Sequence, residues 1–222
     1  MKKYVIVVAG GKGIRMGGDV PKQFLPLNGM PILMRTICRF IEYSPTIAVI
    51  LVLPERHFEY WSSLCEKYDF DIPHRLVKGG ETRFHSVKNG LQSIEDKDDC
   101  LVAVHDGVRP FVSVETIAAT FDMAERRGGA IPVVECVDSI RMLDDDGKSR
   151  ACDRSLFKLV QTPQTFRIET LRTSYSVEYA THFTDDASVV ESAGYDISLV
   201  DGNRENIKIT TGYDMKIAPS LL

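Results

Sequence analysis

Six consecutive apolar residues, Tyr4-Val5-Ile6-Val7-Val8-Ala9, run directly into Gly10-Gly11 and a glycine-rich stretch that ends at Gly18. A run so short and so uniformly apolar reads as a strand buried on both faces, the condition of strands in parallel sheets sandwiched between helices. With Met1-Lys2-Lys3 in front it has the outline of a signal peptide, but a secretory core needs roughly 7–15 apolar residues followed by a small-residue cleavage site. No run approaches the ~18 apolar residues of a membrane span.

The rest of the chain keeps the same rhythm. Further short strands are expected at residues 48–53, 75–77, 101–104, 130–134, 158–161, 197–200 and 207–209. Between them lie stripes of helical period: Leu33, Ile37, Phe40 and Ile41; Phe58, Trp61, Leu64, Cys65 and Tyr68; Val87, Leu91 and Ile94; Ile117, Phe121 and Ala124. This alternation predicts an α/β fold, a mostly parallel sheet with helices on both faces. The 222 residues are expected to form one domain. One segment breaks the pattern. Two short extended stretches flank Asp144-Asp145-Asp146-Gly147, the signature of a hairpin, and predict an arm at about 136–158 that projects from the sheet.

Charge narrows the partners. With 27 Lys and Arg against 31 Asp and Glu, the formal net charge is −4, and a nucleic-acid binder would be expected to carry a basic excess. The five cysteines, Cys38, Cys65, Cys100, Cys136 and Cys152, never form a C-x-x-C pair, which points to neither a zinc site nor a disulfide framework. They read as buried thiols in a reducing cytoplasm, and neither a membrane nor a nucleic acid is expected as a partner.

The loop after the first strand carries the chemistry. Glycines directly after a buried strand let backbone N–H groups approach a phosphate closely. The loop is not a P-loop, because no Gly-Lys-Ser/Thr closes it onto a helix, and Gly11, Gly13 and Gly17 miss the dinucleotide spacing. What remains is a non-helical loop presenting Arg15 and Lys22, two cations suited to a triphosphate that loses pyrophosphate.

Gly10-Gly11-x-Gly-x-Arg15-Met16 followed by Pro21-Lys22-Gln23-Phe24 resembles the signature of sugar-nucleotide and polyol-phosphate nucleotidyltransferases. More narrowly, it resembles the 2-C-methyl-D-erythritol 4-phosphate cytidylyltransferase family of the non-mevalonate isoprenoid pathway. The resemblance implies a Rossmann-like, glycosyltransferase-A-like nucleotidyltransferase fold, with Ala9, Gly10 and Gly11 at the nucleotide. It extends to Gly79-Gly80-Glu81-Thr82-Arg83-Phe84-His85-Ser86, where Gly80, Glu81 and Ser86 would contact cytidine; the family more often has Asp at the position of Glu81.

Further along, His105-Asp106-Gly107-Val108-Arg109-Pro110 follows a buried strand, and ligands of open α/β sheets sit at such carboxyl ends. Asp106 suits a hydroxyl or Mg²⁺ and Arg109 a phosphate, although taken alone the pair also fits a helix cap with a surface ion pair. His105 reads as structural. By the same resemblance the arm interlocks two subunits of a homodimer, and Ser139 and Arg154 reach the acceptor phosphate of the neighbouring site. The family commonly has Thr where Ser139 stands. Thr184, in a segment expected to cap a helix through Thr or Asp, and Lys208, expected inside an Ile-x-Ile strand, complete the acceptor side.

The implied reaction is attack of a phosphate monoester on the α-phosphorus of CTP. Such a nucleophile, with a second pKa near ~6, is already dianionic at neutral pH and needs no protein base. Arg15, Lys22, Arg154 and Lys208 are therefore the expected catalytic groups. Mg²⁺ is expected as cofactor, held mainly by CTP phosphates with Asp106 as a candidate ligand. Two rivals stand beside this reading: a cytidylyltransferase for ribitol 5-phosphate or a related polyol phosphate, and a nucleotide-binding module without catalysis.

Overall fold

The computed structural model describes residues 1–10, 20–96 and 99–222. Its elements run β1 (Lys2–Val8), the small hairpin β2 (Pro26–Leu27) and β3 (Met30–Pro31), α1 (Ile32–Tyr43), β4 (Ala48–Leu53), α2 (Phe58–Lys67), β5 (His74–Lys78), α3 (Arg83–Gln92), β6 (Cys100–Asp106), α4 (Val114–Arg127) and β7 (Gly129–Glu135). There follow β8 (Ile140–Leu143), β9 (Ser149–Cys152), β10 (Lys158–Val160), β11 (Gln164–Arg167), α5 (Ile168–Ser174), α6 (Asp186–Ser192), β12 (Ser198–Asp201) and α7 (Gly212–Ile217).

The central sheet has β1 in its middle, paired in parallel with β4 on one side and β6 on the other, and β5 continues beyond β4. The chain thus leaves β1 toward β5 and returns to its other flank at β6, so a ligand crevice is expected at the carboxyl ends of β1 and β6. Alternation along the strands fills two cores. Val5, Val7, Leu51, Leu101 and Ala103 face α1, α2 and α4 through Leu33, Phe40, Trp61 and Phe121. Ile6, Ile50, Val52, Val102 and Val104 face α3, α5 and α6 through Val87, Leu91, Leu171 and Val190. Each of the buried Val, Leu, Ile and Phe side chains among them is worth about 1.5–3 kcal/mol in removal from water.

Two expectations need correction. Residues 207–209 do not form a strand; Ile209 makes an isolated backbone bond to the Val108 carbonyl at 3.0 Å, and its burial still leaves Lys208 on the opposite side. The strand expected at 158–161 is present as β10, exposed and antiparallel to β7. Finally, Cys100 alone among the cysteines is buried, the other four being partly exposed.

One strand of the central sheet escaped the sequence reading altogether, as did the small hairpin of β2 and β3. β11 lies antiparallel between β6 and β7, and its Gln164 and Thr165 are fully buried. They satisfy their polar groups through Asp185, the Ala187 N–H and Thr120, which is what allows polar residues in a core strand. The arm folds as expected: β8 and β9 pair antiparallel, and Gly147 takes the positive φ of 77° that the turn requires. Its neighbourhood exposes Val137, Met142, Leu143, Leu156, Leu159 and Val160.

Candidate active site

The ends of β1 and β6 are held side by side, Val8 in register with Asp106. Beyond them opens a cavity of about 360 Å³ lined, among the described residues, by Ala9, Gly10 and Lys22 from the first loop, Gly80 to Arg83 and Ser86 from the second, and Asp106 and Lys208. This volume lies within the range of small-ligand pockets. Three local devices build its walls.

The first device places Lys22. Gln23, which is buried, donates from Nε2 to the Ala9 carbonyl at 2.9 Å, and Phe24 is wedged edge-on against Tyr60 and His57. The 3-10 turn Lys22–Phe24 is thereby pinned to the end of β1, with Lys22 facing the cavity.

The second device shapes the glycine turn before α3. Thr82 caps the helix, and the Ser86 hydroxyl accepts from the Gly80 N–H at 3.1 Å while donating to the Thr82 carbonyl at 3.0 Å. At Gly80 a Cβ would stand 2.3 Å from that of His85, so only glycine fits.

The third device is a hub of charge. The buried Asp106 carboxylate meets Arg109 Nε and Lys208 Nζ, each at 3.1 Å from Oδ2, and Arg83 Nε at 3.5 Å from Oδ1. Burial alone would raise the Asp106 pKa, but Arg83, Lys208 and Arg109 together hold it well below the usual carboxylate range. Burial likewise works against the Arg83 charge, and Asp186 and Asp106 outweigh it, so the guanidinium stays protonated.

His105 fixes the turn behind this hub. Its Nε2 lies 3.1 Å from the Arg109 carbonyl, which can only accept, so Nε2 carries the proton and Nδ1 accepts from Thr162 Oγ1 at 2.9 Å. The same Thr162 oxygen accepts the Asp106 N–H at 3.2 Å. Full burial pushes the His105 pKa down to about 4. Because the folded value is depressed below the unfolded ~6.5, only the unfolded chain gains a proton as pH falls through that interval. Stability is expected to drop by roughly 3 kcal/mol between about pH 6.5 and 4 and then level off as far as this group is concerned. Chemical denaturation across that range checks this, and His105→Gln should remove the loss.

The remaining expected residues are distributed differently. Arg109 spends its guanidinium on Asp106 and, at 2.8 Å, on the Asn206 carbonyl; it buttresses the hub and does not line the cavity. Thr184 is exposed just before α6, whose cap is Asp185 in a capping box with Ser188. Ser139 and Arg154 lie on the exposed arm, Arg154 against the Val137 carbonyl, and neither lines this cavity. Gly11 and Arg15 lie outside the described residues. Sequence reasoning quoted Arg83 and Gln23 but gave them no role. Their signal is adjacency to the two glycine turns; their partners come from elsewhere in the chain.

Cations converging on a cavity at the carboxyl ends of parallel strands, beside Gly10 and the Gly80 turn, are the arrangement expected of a nucleotidyltransferase. Comparison with known proteins agrees. The family IspD, 2-C-methyl-D-erythritol 4-phosphate cytidylyltransferase, matches over residues 3–222. The 2-C-methyl-D-erythritol 4-phosphate cytidylyltransferase of Phocaeicola vulgatus is 53% identical over 222 residues, covering 100% of both chains. Among solved structures, that of the Francisella tularensis enzyme of the same name has a TM-score of 0.81 at 32% identity, covering 100% of both chains. The 4-diphosphocytidyl-2C-methyl-D-erythritol synthase of Anaerococcus prevotii has a TM-score of 0.84 at 28% identity, covering 99% of this chain and 95% of its own.

The chain belongs to the 2-C-methyl-D-erythritol 4-phosphate cytidylyltransferase family. It is a cytidylyltransferase of isoprenoid biosynthesis, and the polyol-phosphate alternative is not favoured.

Proposed function

We propose that the protein joins CTP to 2-C-methyl-D-erythritol 4-phosphate by charge neutralisation and positioning, without a protein base. The observation that carries this reading is the convergence of Lys22, Arg83 and Lys208 on one cavity between the two glycine turns. An acceptor phosphate that is already dianionic attacks the α-phosphorus, the bond to the bridging oxygen breaks, and pyrophosphate leaves with the electron pair. The obstacle is the approach of two anions. Lys22, together with Arg15, would stabilise charge at the α-phosphate and the leaving group, and Lys208 would orient the acceptor phosphate. Ala9, Gly10 and Gly11 would lie along the triphosphate, with Gly80, Glu81 and Ser86 at the base. His105, buried and neutral behind Asp106, takes no proton in this scheme.

Mg²⁺ would accompany the nucleotide. Among the described residues no cluster of three or more His, Cys, Asp or Glu could hold a metal, and both Asp106 oxygens already face cations. The ion would therefore be held by CTP oxygens, which it would draw together while offsetting their charge.

The exposed arm supports a homodimer. Its apolar side chains are the kind of surface a second subunit covers, and Ser139 and Arg154 stand free of their own cavity. In this arrangement they, with Thr184, would complete the acceptor site across the interface. A cytoplasmic location agrees with five unpaired thiols and with the absence, among the described residues, of a helix able to cross a membrane.

The experiment is pyrophosphate release with CTP, Mg²⁺ and 2-C-methyl-D-erythritol 4-phosphate, with ribitol 5-phosphate and the other three nucleoside triphosphates in parallel. Release specific to CTP and the methylerythritol acceptor is expected. Mixing Arg15→Ala with Arg154→Ala subunits should regenerate activity from two weak variants, and no recovery in verified mixed dimers would overturn the shared site.

A further inference from the structure

Arg83 is held between two carboxylates from distant parts of the chain. Its Nη2 donates to Asp186 Oδ2 at 2.6 Å, while its Nε stands 3.5 Å from Asp106 Oδ1. Asp186, the first residue of α6, is fully buried, and its other oxygen accepts the Tyr175 hydroxyl at 2.6 Å. It does not line the cavity. A carboxylate so placed is costly unless its partners are fixed, because breaking such a pair leaves an unmatched buried charge.

The surroundings do fix it. Gln164 of β11 bridges the helix start, donating from Nε2 to Asp185 Oδ2 and accepting the Ala187 N–H, both at 2.8 Å. The Tyr175 ring in turn stacks on Phe84, the neighbour of Arg83, with centroids 4.7 Å apart. Asp186 is thus anchored to the sheet, and Arg83 is anchored to Asp186.

We propose that Asp186 is a positioning residue for cytidylyl transfer, holding Arg83 off Asp106 so that the Asp106 carboxylate remains available to fix Lys208. The inference rests on the reading of Lys208 given above. Lys208 is a point charge on a flexible stem, 44% exposed and 3.1 Å from Asp106. Without Asp186, Asp106 is the one carboxylate paired with Arg83 among the described residues, and the guanidinium would close on it in the bidentate geometry that Arg–carboxylate pairs favour. Arg83 would then compete with the ammonium for the same oxygens, and Lys208 would lose its fixed place at the acceptor.

A double-mutant cycle tests this. Asp186→Asn keeps the shape and removes the charge. It is expected to lower kcat about 10–100-fold while KM for CTP moves less than about threefold, the pattern of lost transition-state alignment. In an Arg83→Met background the same change should cost less than about twofold, since both substitutions act through one group. Additive losses, or an unchanged kcat in folded Asp186→Asn, would overturn the proposal; a purely structural role would lower Tm without changing kcat per folded site. Should Asp186→Asn fail to fold, Tyr175→Phe carries the test by removing one hydrogen bond from the same carboxylate. Its expected loss is about three- to tenfold in kcat, absent when Arg83 is Met, and an unchanged kcat would overturn the proposal. Full turnover by Lys208→Met would instead refute the underlying reading of Lys208, which the cycle does not probe.

Discussion

Asp106→Asn is expected to lower kcat/KM by about 10²–10³ and to destabilise the fold by about 3 kcal/mol. The substitution preserves shape and hydrogen-bonding size but withdraws the negative charge on which Arg83, Arg109 and Lys208 converge. Three cations then face one another across a neutral amide. The stability figure stands at the low end of what breaking a buried pair costs, because Lys208 is 44% exposed and turns to water. For a chain of this length that corresponds to roughly 6–12 °C in Tm.

Two readouts identify the cause. Pyrophosphate should restore the variant's Tm more than it raises that of the parent protein, since an anion would occupy the place of the missing charge. The pH profiles should also separate. Asp106 is held below the usual carboxylate range, so its stabilisation is fully present above an unfolded pKa of ~3.9 and fades as pH falls through the depressed folded value. That acid loss should vanish in Asp106→Asn, whereas the loss that His105 causes at higher pH should remain. Equal Tm values for parent and variant at neutral pH would show that the hub contributes no stability.

Lys22→Ala is the second large effect, and it should fall on rate. Lys22 lies in a short turn that its neighbours Gln23 and Phe24 pin to the end of β1 and against Tyr60. Lys22 lines the cavity together with Gly10. A positioned cation that acts on charge developed during bond breaking is worth about 10²–10³ in kcat, with a much smaller effect on ground-state binding. Steady-state kinetics of pyrophosphate release separate the two. A variant whose kcat is intact and whose KM for CTP alone has risen would make Lys22 a binding residue and remove it from the chemistry.

These predictions use residues that the sequence exposed unequally. Lys22 was legible because a turn sequence follows a glycine loop, and every part of that signal lies within a few residues. Gly80 was legible for the same reason, and the His85 contact explains why no larger residue stands there. Asp106 was legible as a polar residue at the end of a buried run. Of its three partners, Arg83 and Lys208 were not, because they lie far from it along the chain. Arg109 is near enough to be read either as a phosphate contact or as an ion pair with Asp106, and its guanidinium is engaged by Asp106 and the Asn206 carbonyl. β11 was missed because Gln164 and Thr165 lack the apolar signature of a core strand, and only their long-range hydrogen bonds make them one.

The sequence by itself determined the alternation of strands and helices, the two glycine turns, the arm and the family to which the chain belongs, since each is carried by periodicity, turn chemistry or short motifs. Only the tertiary structure decided that Arg83, beside Asp106, reaches Asp186 across 103 residues, and that Lys208 reaches the hub from a segment that is not a strand. The physical reason is range. Backbone preference and burial pattern act between neighbours, whereas the partner of a buried charge is fixed only when folding brings distant segments within a few ångströms of one another.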